Sequence, residues 1–244
     1  MGKTALITGG GRGIGAATAK YLAARGYGIC INYHRNEQAA ETLVAQIKEQ
    51  FAVPCIAIAA DVSDEAQVIR LFAEMDELIG PVTHLVNNVG VLFKQMKVTE
   101  MDAERINKTL TTNVTSYFLC SREALKRMQP GSAIVNVSSV ASRTGSPGEY
   151  VDYAASKGAV DVFTRGLSLE LAPQGIRVNC VRPGFIYTDI HADGGEPGRV
   201  DRVSSQIPML RGGQPEEVAS AIAWLLSDEA SYVTGSFIDL AGGR

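Results

Sequence analysis

The stretch that decides the fold is Ala5-Leu6-Ile7-Thr8, then Gly9-Gly10-Gly11-Arg12-Gly13-Ile14-Gly15, then Ala16-Ala17-Thr18-Ala19-Lys20-Tyr21-Leu22. The short apolar run reads as a strand and the alanine-rich run as a helix. Between them the glycines let the backbone turn sharply and let another group approach it closely. A strand, a glycine turn and a helix N-terminus together form a cradle for a pyrophosphate, whose charge suits the free N–H groups of the first helical turn. The spacing is G-x-x-x-G-x-G rather than the commoner G-x-G-x-x-G, so the strand–turn–helix context carries the weight.

Outward from this unit, apolar runs at 3–8, 28–33, 54–59, 83–87, 132–137, 176–181 and 236–240 alternate with helical patterns near 13–25, 36–50, 64–79, 103–128, 150–172 and 215–227. That alternation predicts an α/β fold, a parallel sheet with helices on both faces. No repeat, low-complexity tract or linker divides residues 1–244, so one domain is expected. One connection breaks the pattern. Residues 188–213 contain Gly194, Gly195, Pro197, Gly198, Pro208, Gly212 and Gly213 and are too long for an ordinary loop. A lid over a site is the sharper reading, and a surface excursion the plainer one.

The composition, 45% hydrophobic and 20% charged with a net charge of −3, is that of a globular domain without a general surface for nucleic acid or anionic membranes. No run of 18 apolar residues spans a bilayer and no leader pattern opens the chain, so a cytoplasmic protein is expected. Cys30, Cys55, Cys120 and Cys180 form no C-x-x-C pair and sit among apolar neighbours, as reduced core thiols do. His34, His84 and His191 are scattered, so no metal site is expected. His191 reads as exposed, and Trp224 as core or interface.

Two patterns carry chemistry. In Tyr153-Ala154-Ala155-Ser156-Lys157 the phenol and the ammonium share one helix face. A cation beside a phenol favours the phenolate, lowers its pKa and makes a general acid/base. At the end of the second strand, Asn32-Tyr33-His34-Arg35-Asn36 has no carboxylate before Glu37, where an acidic residue would hold the 2′-hydroxyl of NAD. Arg12 and Arg35 converging there suit a 2′-phosphate, which favours NADP(H) over NAD(H). The alternative is a solvated Arg35, with Glu37 reaching the ribose.

With these residues in view, the sequence resembles the short-chain dehydrogenase/reductase family over nearly its whole length. The matching motifs are Thr8-Gly9…Gly13-Ile14-Gly15, Asp61-Val62, Asn87-Asn88-Val89-Gly90, Asn113, Ser139, Tyr153…Lys157 and Pro183-Gly184…Thr188. The nearest branch looks like the bacterial glucose dehydrogenases and acyl-carrier-protein reductases. The resemblance implies a doubly wound Rossmann sheet of seven strands, order 3-2-1-4-5-6-7. It also implies NADP(H)-dependent interconversion of a carbonyl and a secondary alcohol, and a homotetramer with helices 103–128 and 150–172 between subunits.

Carried over residue by residue, the resemblance makes Tyr153 the general acid, with Lys157 lowering its pKa and bonding the nicotinamide ribose. Ser139, preferred to its neighbour Ser138, would donate to the substrate oxygen. Asn113 would hold a proton-relaying water, or else be satisfied by backbone. Gly9, Arg12, Gly13, Ile14 and Gly15 would cradle the dinucleotide, with Tyr33, His34 and Arg35 at its phosphate end. Asp61 and Val62 would meet the adenine, although Asp61 could serve as a helix cap and Ser63 is the natural N-cap of 64–79. Asn88, Val89 and Gly90 would support the adenosine ribose; Val89 stands where the family usually has Ala. Pro183, Gly184, Ile186 and Thr188 would clamp the carboxamide and fix the pro-S face. Phe93, Tyr150, Tyr187 and Met209 are candidates for the substrate pocket. The substrate would be a sugar, polyol or small ketone. A 3-oxoacyl thioester on an acidic carrier is the alternative and would need a basic patch at the mouth, for which Lys126 and Arg127 are candidates. From other classes come an NADP(H)-sensing regulator without turnover and a structural subunit.

Overall fold

The computed structural model of the chain describes residues 2–244. In chain order its main elements are β1 (Thr4–Ile7), α1 (Gly13–Ala23), β2 (Gly28–Tyr33), α2 (Glu37–Gln50), β3 (Cys55–Ala59), α3 (Glu65–Ile79) and β4 (His84–Asn87). There follow α4 (Ala103–Leu110), α5 (Ser116–Leu125), β5 (Ala133–Val137), α6 (Ala141–Thr144), α7 (Val151–Leu171) and β6 (Arg177–Pro183). The chain closes with α8 (Ile190–Asp193), α9 (Arg199–Ser204), α10 (Pro215–Leu226) and β7 (Phe237–Leu240).

The strands form one sheet in the order 3-2-1-4-5-6-7, and every pairing is parallel. Alternate residues feed two cores. Ala5, Ile7, Ile29 and Ile31 pack with Leu22, Leu43, Ile222 and Leu226 from α1, α2 and α10. Leu6, Cys30, Leu85 and Ile134 pack with Leu71, Phe72, Cys120 and Leu167 from α3, α5 and α7. Both faces are therefore covered, which is why the strands read as nearly continuous apolar runs. All four cysteines are buried and free. No helix among the described residues is long and apolar enough to cross a membrane.

β1 pairs with β2 on one side and β4 on the other, so the winding reverses there. A crevice opens at the carboxyl ends of the strands at such a reversal, where ligands of open α/β sheets bind. Two structural details add to the sequence reading. The expected helix 103–128 is helical from Ala103 to Leu125 but with a break in its α register: α4 ends at Leu110, Thr111–Thr115 forms a π turn, and α5 resumes at Ser116. The break is held by Asn113, whose side chain binds the Val91 backbone rather than facing solvent. The N-cap of α3 is Asp64, which accepts from the Gln67 N–H at 3.1 Å, rather than Ser63, because Ser63 is occupied by Asp61. Trp224 is 39% exposed on α10, which leaves interface rather than core of its two readings.

Residues 188–213 fold as α8 and α9. Their neck is closed by a bridge between Ile186 and Gly213, with Tyr187 N–H donating to Gly213 O at 3.0 Å and Gly213 N–H to Phe185 O at 2.9 Å. Glu196 holds Arg199 and Arg202, and the Tyr150 hydroxyl donates to Gly194 O at 3.2 Å. The segment is thus ordered along one wall of the crevice.

Candidate active site

A single cleft at the carboxyl edge is lined by the glycine turn at one end and by Ser139, Tyr153 and Lys157 at the other. At the turn, Gly9 and Gly13 have φ of +61° and +52°, a region costly for other residues. Gly15 is required by space: a Cβ there would lie 2.7 Å from Gly9 O and 2.8 Å from Asn88 Nδ2. Asn88 Nδ2 donates to Thr8 O at 3.0 Å and to Gly9 O at 3.2 Å, while the Thr8 hydroxyl accepts from Asn88 N–H at 2.9 Å. Strand β4 and the turn thus brace each other. Arg12 begins α1 in extended conformation and no side chain caps it, so the first helical N–H groups stay free of side-chain acceptors. Across the cleft, Thr188 Cγ2 comes within 3.2 Å of where a Cβ on Gly13 would sit. The extra bulk of Val89 is absorbed against Gly9, with Cγ2 3.0 Å from that residue's missing Cβ position.

The two arginines are engaged differently in this structure. Arg12 Nη2 lies 2.5 Å from Asp193 Oδ2, and Nη1 lies 3.8 Å from Asp189 Oδ2, both in the segment along the cleft wall. Arg35 is exposed at the end of β2, with no ion pair among the described residues. Glu37 stands beside the Tyr33 phenol, which burial and that carboxylate raise above its ordinary pKa. His34 Nε2 lies 3.7 Å from Asp61 Oδ2. Asp61 Oδ1 accepts from the Ser63 N–H at 2.9 Å and hydroxyl at 2.6 Å, so it shapes the turn before α3 rather than capping the helix. Val62 is buried in the second core.

At the other end, Tyr153 and Lys157 both project from α7 into the cleft, and Ser139 follows β5 as the sequence predicted. Ser138 is buried and donates to Lys157 O at 3.1 Å, leaving Ser139 as the serine that faces Tyr153 across the cleft; its hydroxyl donates to Pro183 O at 3.4 Å and accepts from Ala141 N–H at 3.1 Å. Burial pushes the Tyr153 phenol up to about 12, and the Ser139 hydroxyl opposes this. The sequence reading expects Lys157 to lower that value, and in the folded site burial outweighs any such pull: the Lys157 ammonium lies 5.7 Å from the Tyr153 ring centroid and donates to Val137 O at 2.8 Å and to the Tyr117 hydroxyl at 3.3 Å. Burial depresses Lys157 to about 8. Asn113 makes no contact with Lys157: its Oδ1 accepts from Val91 N–H at 2.7 Å, and its Nδ2 donates to Val91 O and to Ser156 Oγ, each at 3.1 Å. The backbone-satisfied alternative for its side chain is the observed one. Gly90 is hemmed in by both, its missing Cβ position lying 3.5 Å from Lys157 Nζ and 3.8 Å from Asn113 Oδ1.

Pro183, Gly184, Ile186 and Thr188 line the middle of the cleft. Of the proposed pocket residues only Tyr150 lines it. Tyr187 and Met209 are 40% and 59% exposed, and Phe93 lies against Arg105. His191, read as exposed, is buried, with only 8% of its surface accessible: its Nε2 pairs with Ile186 O at 3.0 Å and its ring stacks with Phe185. Sequence reasoning missed Leu92, Phe185 and Arg199 in this wall. The Arg199 guanidinium lies 5.0 Å from the Tyr150 ring and 5.5 Å from Phe185, and is paired with Glu149 and Glu196. Nothing local marked Arg199 as a wall residue: Glu196 is its one near partner in sequence, while Glu149, Tyr150 and Phe185 come from distant parts of the chain.

Residues 9–244 match a family model described as enoyl-(acyl carrier protein) reductase. The chain is 64% identical to an uncharacterized oxidoreductase, YgfF, of Escherichia coli K12, over 98% of this chain and 99% of that one. It is 37% identical to the glucose and ribitol dehydrogenase of Daucus carota, over 100% of this chain and 85% of that one. Among solved structures, a short-chain dehydrogenase of Burkholderia cenocepacia J2315 in complex with NADP superposes with a TM-score of 0.91 at 34% identity, covering 100% of this chain and 98% of that one.

Proposed function

The chain belongs to the short-chain dehydrogenase/reductase family of oxidoreductases, and we propose that it interconverts a free, small carbonyl compound and its secondary alcohol with NADP(H). The observation that carries this reading is one cleft holding both a glycine cradle and a Ser139–Tyr153–Lys157 cluster. The cradle fits a dinucleotide: its helix N-terminus is free of side-chain caps, and Gly9, Gly13 and Gly15 keep the backbone approachable. Gly9, Arg12, Gly13, Ile14 and Gly15 would hold the pyrophosphate, and Tyr33, His34 and Arg35 the 2′-phosphate. Asp61 and Val62 would flank the adenine, with Asn88, Val89 and Gly90 under the ribose. Pro183, Gly184, Ile186 and Thr188 would hold the carboxamide. Bound there, NADPH supplies the hydride.

The rest is side-chain chemistry. Tyr153 holds its proton at neutral pH and can give it to the oxygen as negative charge develops there; the burial that pushes the phenol up to about 12 opposes that transfer, so the groups that favour the phenolate are part of the mechanism. The Ser139 hydroxyl donates to the same oxygen. Lys157, near 8, is still mostly an ammonium at neutral pH and stabilises the phenolate that Tyr153 becomes. Asn113 ties the Val91 loop to α7, a positioning task. Residues 188–213 act as the lid, and Arg199, His191 and Tyr150 shape the substrate end.

Charge supports a free substrate over a carrier-bound thioester. Lys126 and Arg127 follow the far end of α5, beside the amino ends of the strands, and pair with Glu123 and Asp76. At the cleft, Arg12, Arg199 and Arg202 are paired with Asp193, Glu149 and Glu196, so these three offer an acidic carrier no free charge; Lys94 beside Gly195 and Arg244 over the Phe185 ring are the cations there without an ion pair among the described residues. A sugar, polyol or small ketone is the substrate class. Exposed Phe118, Val162 and Leu169 on α5 and α7 support the homotetramer, and the absence of a membrane-spanning helix among the described residues is compatible with a cytoplasmic enzyme.

The test is NADPH consumption with free aldoses, small ketones and a 3-oxoacyl thioester, in wild type and Tyr153→Phe. Turnover of a free carbonyl should fall by about 10²–10⁴-fold in the variant while NADPH binding persists. Tight NADPH binding with no turnover of any carbonyl would favour the sensing regulator instead.

A further inference from the structure

Beneath Lys157 lies a second phenol. Tyr117 is 1% exposed, and it enters the active-site floor from α5 just after the π turn. Its Oη is 2.8 Å from Val137 O and 3.1 Å from Val89 O, at the carboxyl ends of β5 and β4. Both carbonyls can only accept, so they compete for the single phenolic proton. The oxygen's lone pairs then face one donor, Lys157 Nζ at 3.3 Å, which also donates to Val137 O at 2.8 Å. The ammonium further lies 5.3 Å from the Tyr117 ring centroid. The π turn adds a residue to the helical register, and Asn113 and Tyr117 both turn toward α7, one to Ser156 and the other to Lys157.

We propose that Tyr117 is a positioning residue: its hydroxyl, anchored on the ends of two central strands, holds the Lys157 side chain in place and keeps it charged. The consequence for turnover rests on the reading above, in which the Lys157 charge supports Tyr153; the contact itself does not. The surroundings leave the task to this hydroxyl. On α7, Tyr153 is a neutral phenol and Asp161 is paired with Arg182 at 3.0 Å. From β6 the Cys180 thiol is pushed up to about 12 and stays neutral. Asn113 in the π turn, Ser138 after β5 and Gly90 after β4 carry no charge. No carboxylate among the described residues hydrogen-bonds Lys157, whose side-chain acceptor is Tyr117 alone. Burial already depresses the Lys157 pKa to about 8, so the loss of one acceptor moves it across the working pH range.

The experiment uses Tyr117→Phe, which keeps the ring and removes the oxygen. Lys157 is followed by ¹³C-lysine NMR titration of the protein without cofactor, its resonance assigned with Lys157→Met. The Lys157 midpoint should fall by about one pH unit, with the alkaline limb of the kcat profile falling alongside; Tm should fall by a few degrees as Val89 O loses its donor. Tyr117→Gln, which restores an acceptor oxygen, should recover part of the shift and serves as a second probe if the Phe chain folds poorly. A Lys157 midpoint the same in wild type and either variant overturns the inference. A midpoint that falls while the kcat profile stays fixed upholds the contact and counts against the catalytic reading of Lys157.

Discussion

Two alanine substitutions in the glycine turn, four residues apart, should behave oppositely. At Gly15 an added Cβ would stand 2.7 Å from Gly9 O, 2.8 Å from Asn88 Nδ2 and 2.9 Å from Gly10 Cα. None of these can yield cheaply. Two belong to the turn backbone, and the third is an amide whose N–H groups already serve Thr8 O and Gly9 O. Overpacking of this kind, with the brace loosened, should cost about 2–4 kcal/mol. At about 2–4 °C per kcal/mol for a domain this size, Tm should drop by roughly 5–15 °C. At Gly11 the nearest atoms, all in Ala40, are 3.8 Å or more away and φ is not positive, so Ala should be neutral or stabilise by up to about 1 kcal/mol. Gly11 also does not line the cleft, so its change should leave NADPH affinity intact. The assays are thermal unfolding and NADPH fluorescence titration of the two variants side by side. Equal losses at both positions, or a Gly15→Ala protein with wild-type Tm and affinity, would refute the packing argument for the cradle.

Arg35→Ala should weaken NADPH by about 1.5–3 kcal/mol and leave NADH almost unchanged, the mark of one lost guanidinium–phosphate contact; parallel losses for the two cofactors would remove Arg35 from the 2′-phosphate site. His84 gives the fold an acid-sensitive term. Burial holds its pKa at about 4, below the ordinary 6.5, so the unfolded chain binds the extra proton between those values and stability is lost as pH falls through that window. Denaturant unfolding at pH 7 and pH 4.5 should therefore show about 2–3 kcal/mol less acid loss in His84→Phe than in wild type, and equal acid loss in both would show that His84 is not the group responsible.

What the sequence disclosed was whatever depends on local pattern. Ala5–Gly15 announced its strand and turn because an apolar run and glycines at fixed offsets act within a few residues of each other. Tyr153 and Lys157 share a face because a helix puts residues four apart side by side. The π turn escaped because its cause is tertiary: Asn113 reaches the Val91 backbone, and no spacing within 103–128 encodes that contact. His191 was misjudged for the same reason. A histidine among glycines looks solvated, yet Ile186 O and the Phe185 ring draw it inward. The pKa of Tyr153 went the other way because a lone Tyr–Lys pair suggests an attraction, whereas the folded site adds burial and gives the ammonium two other acceptors.

Arg12 shows how the two ends of the site are joined. Read in sequence it is a phosphate ligand, and in the fold its guanidinium is held by Asp193 and Asp189 of the 188–213 segment. The side chain is 54% exposed, and an ion pair that open to water is worth about 0–1 kcal/mol, less than a charge-assisted contact to phosphate. A cofactor phosphate bound in the glycine cradle would therefore compete on favourable terms for Arg12, and taking it would remove one of the ties between the turn and residues 188–213. Arg35 has no such competitor and can answer to the phosphate alone. In the proposed binding mode the two arginines are therefore unequal: Arg35 would discriminate between cofactors, while Arg12 would couple the pyrophosphate to the 188–213 wall.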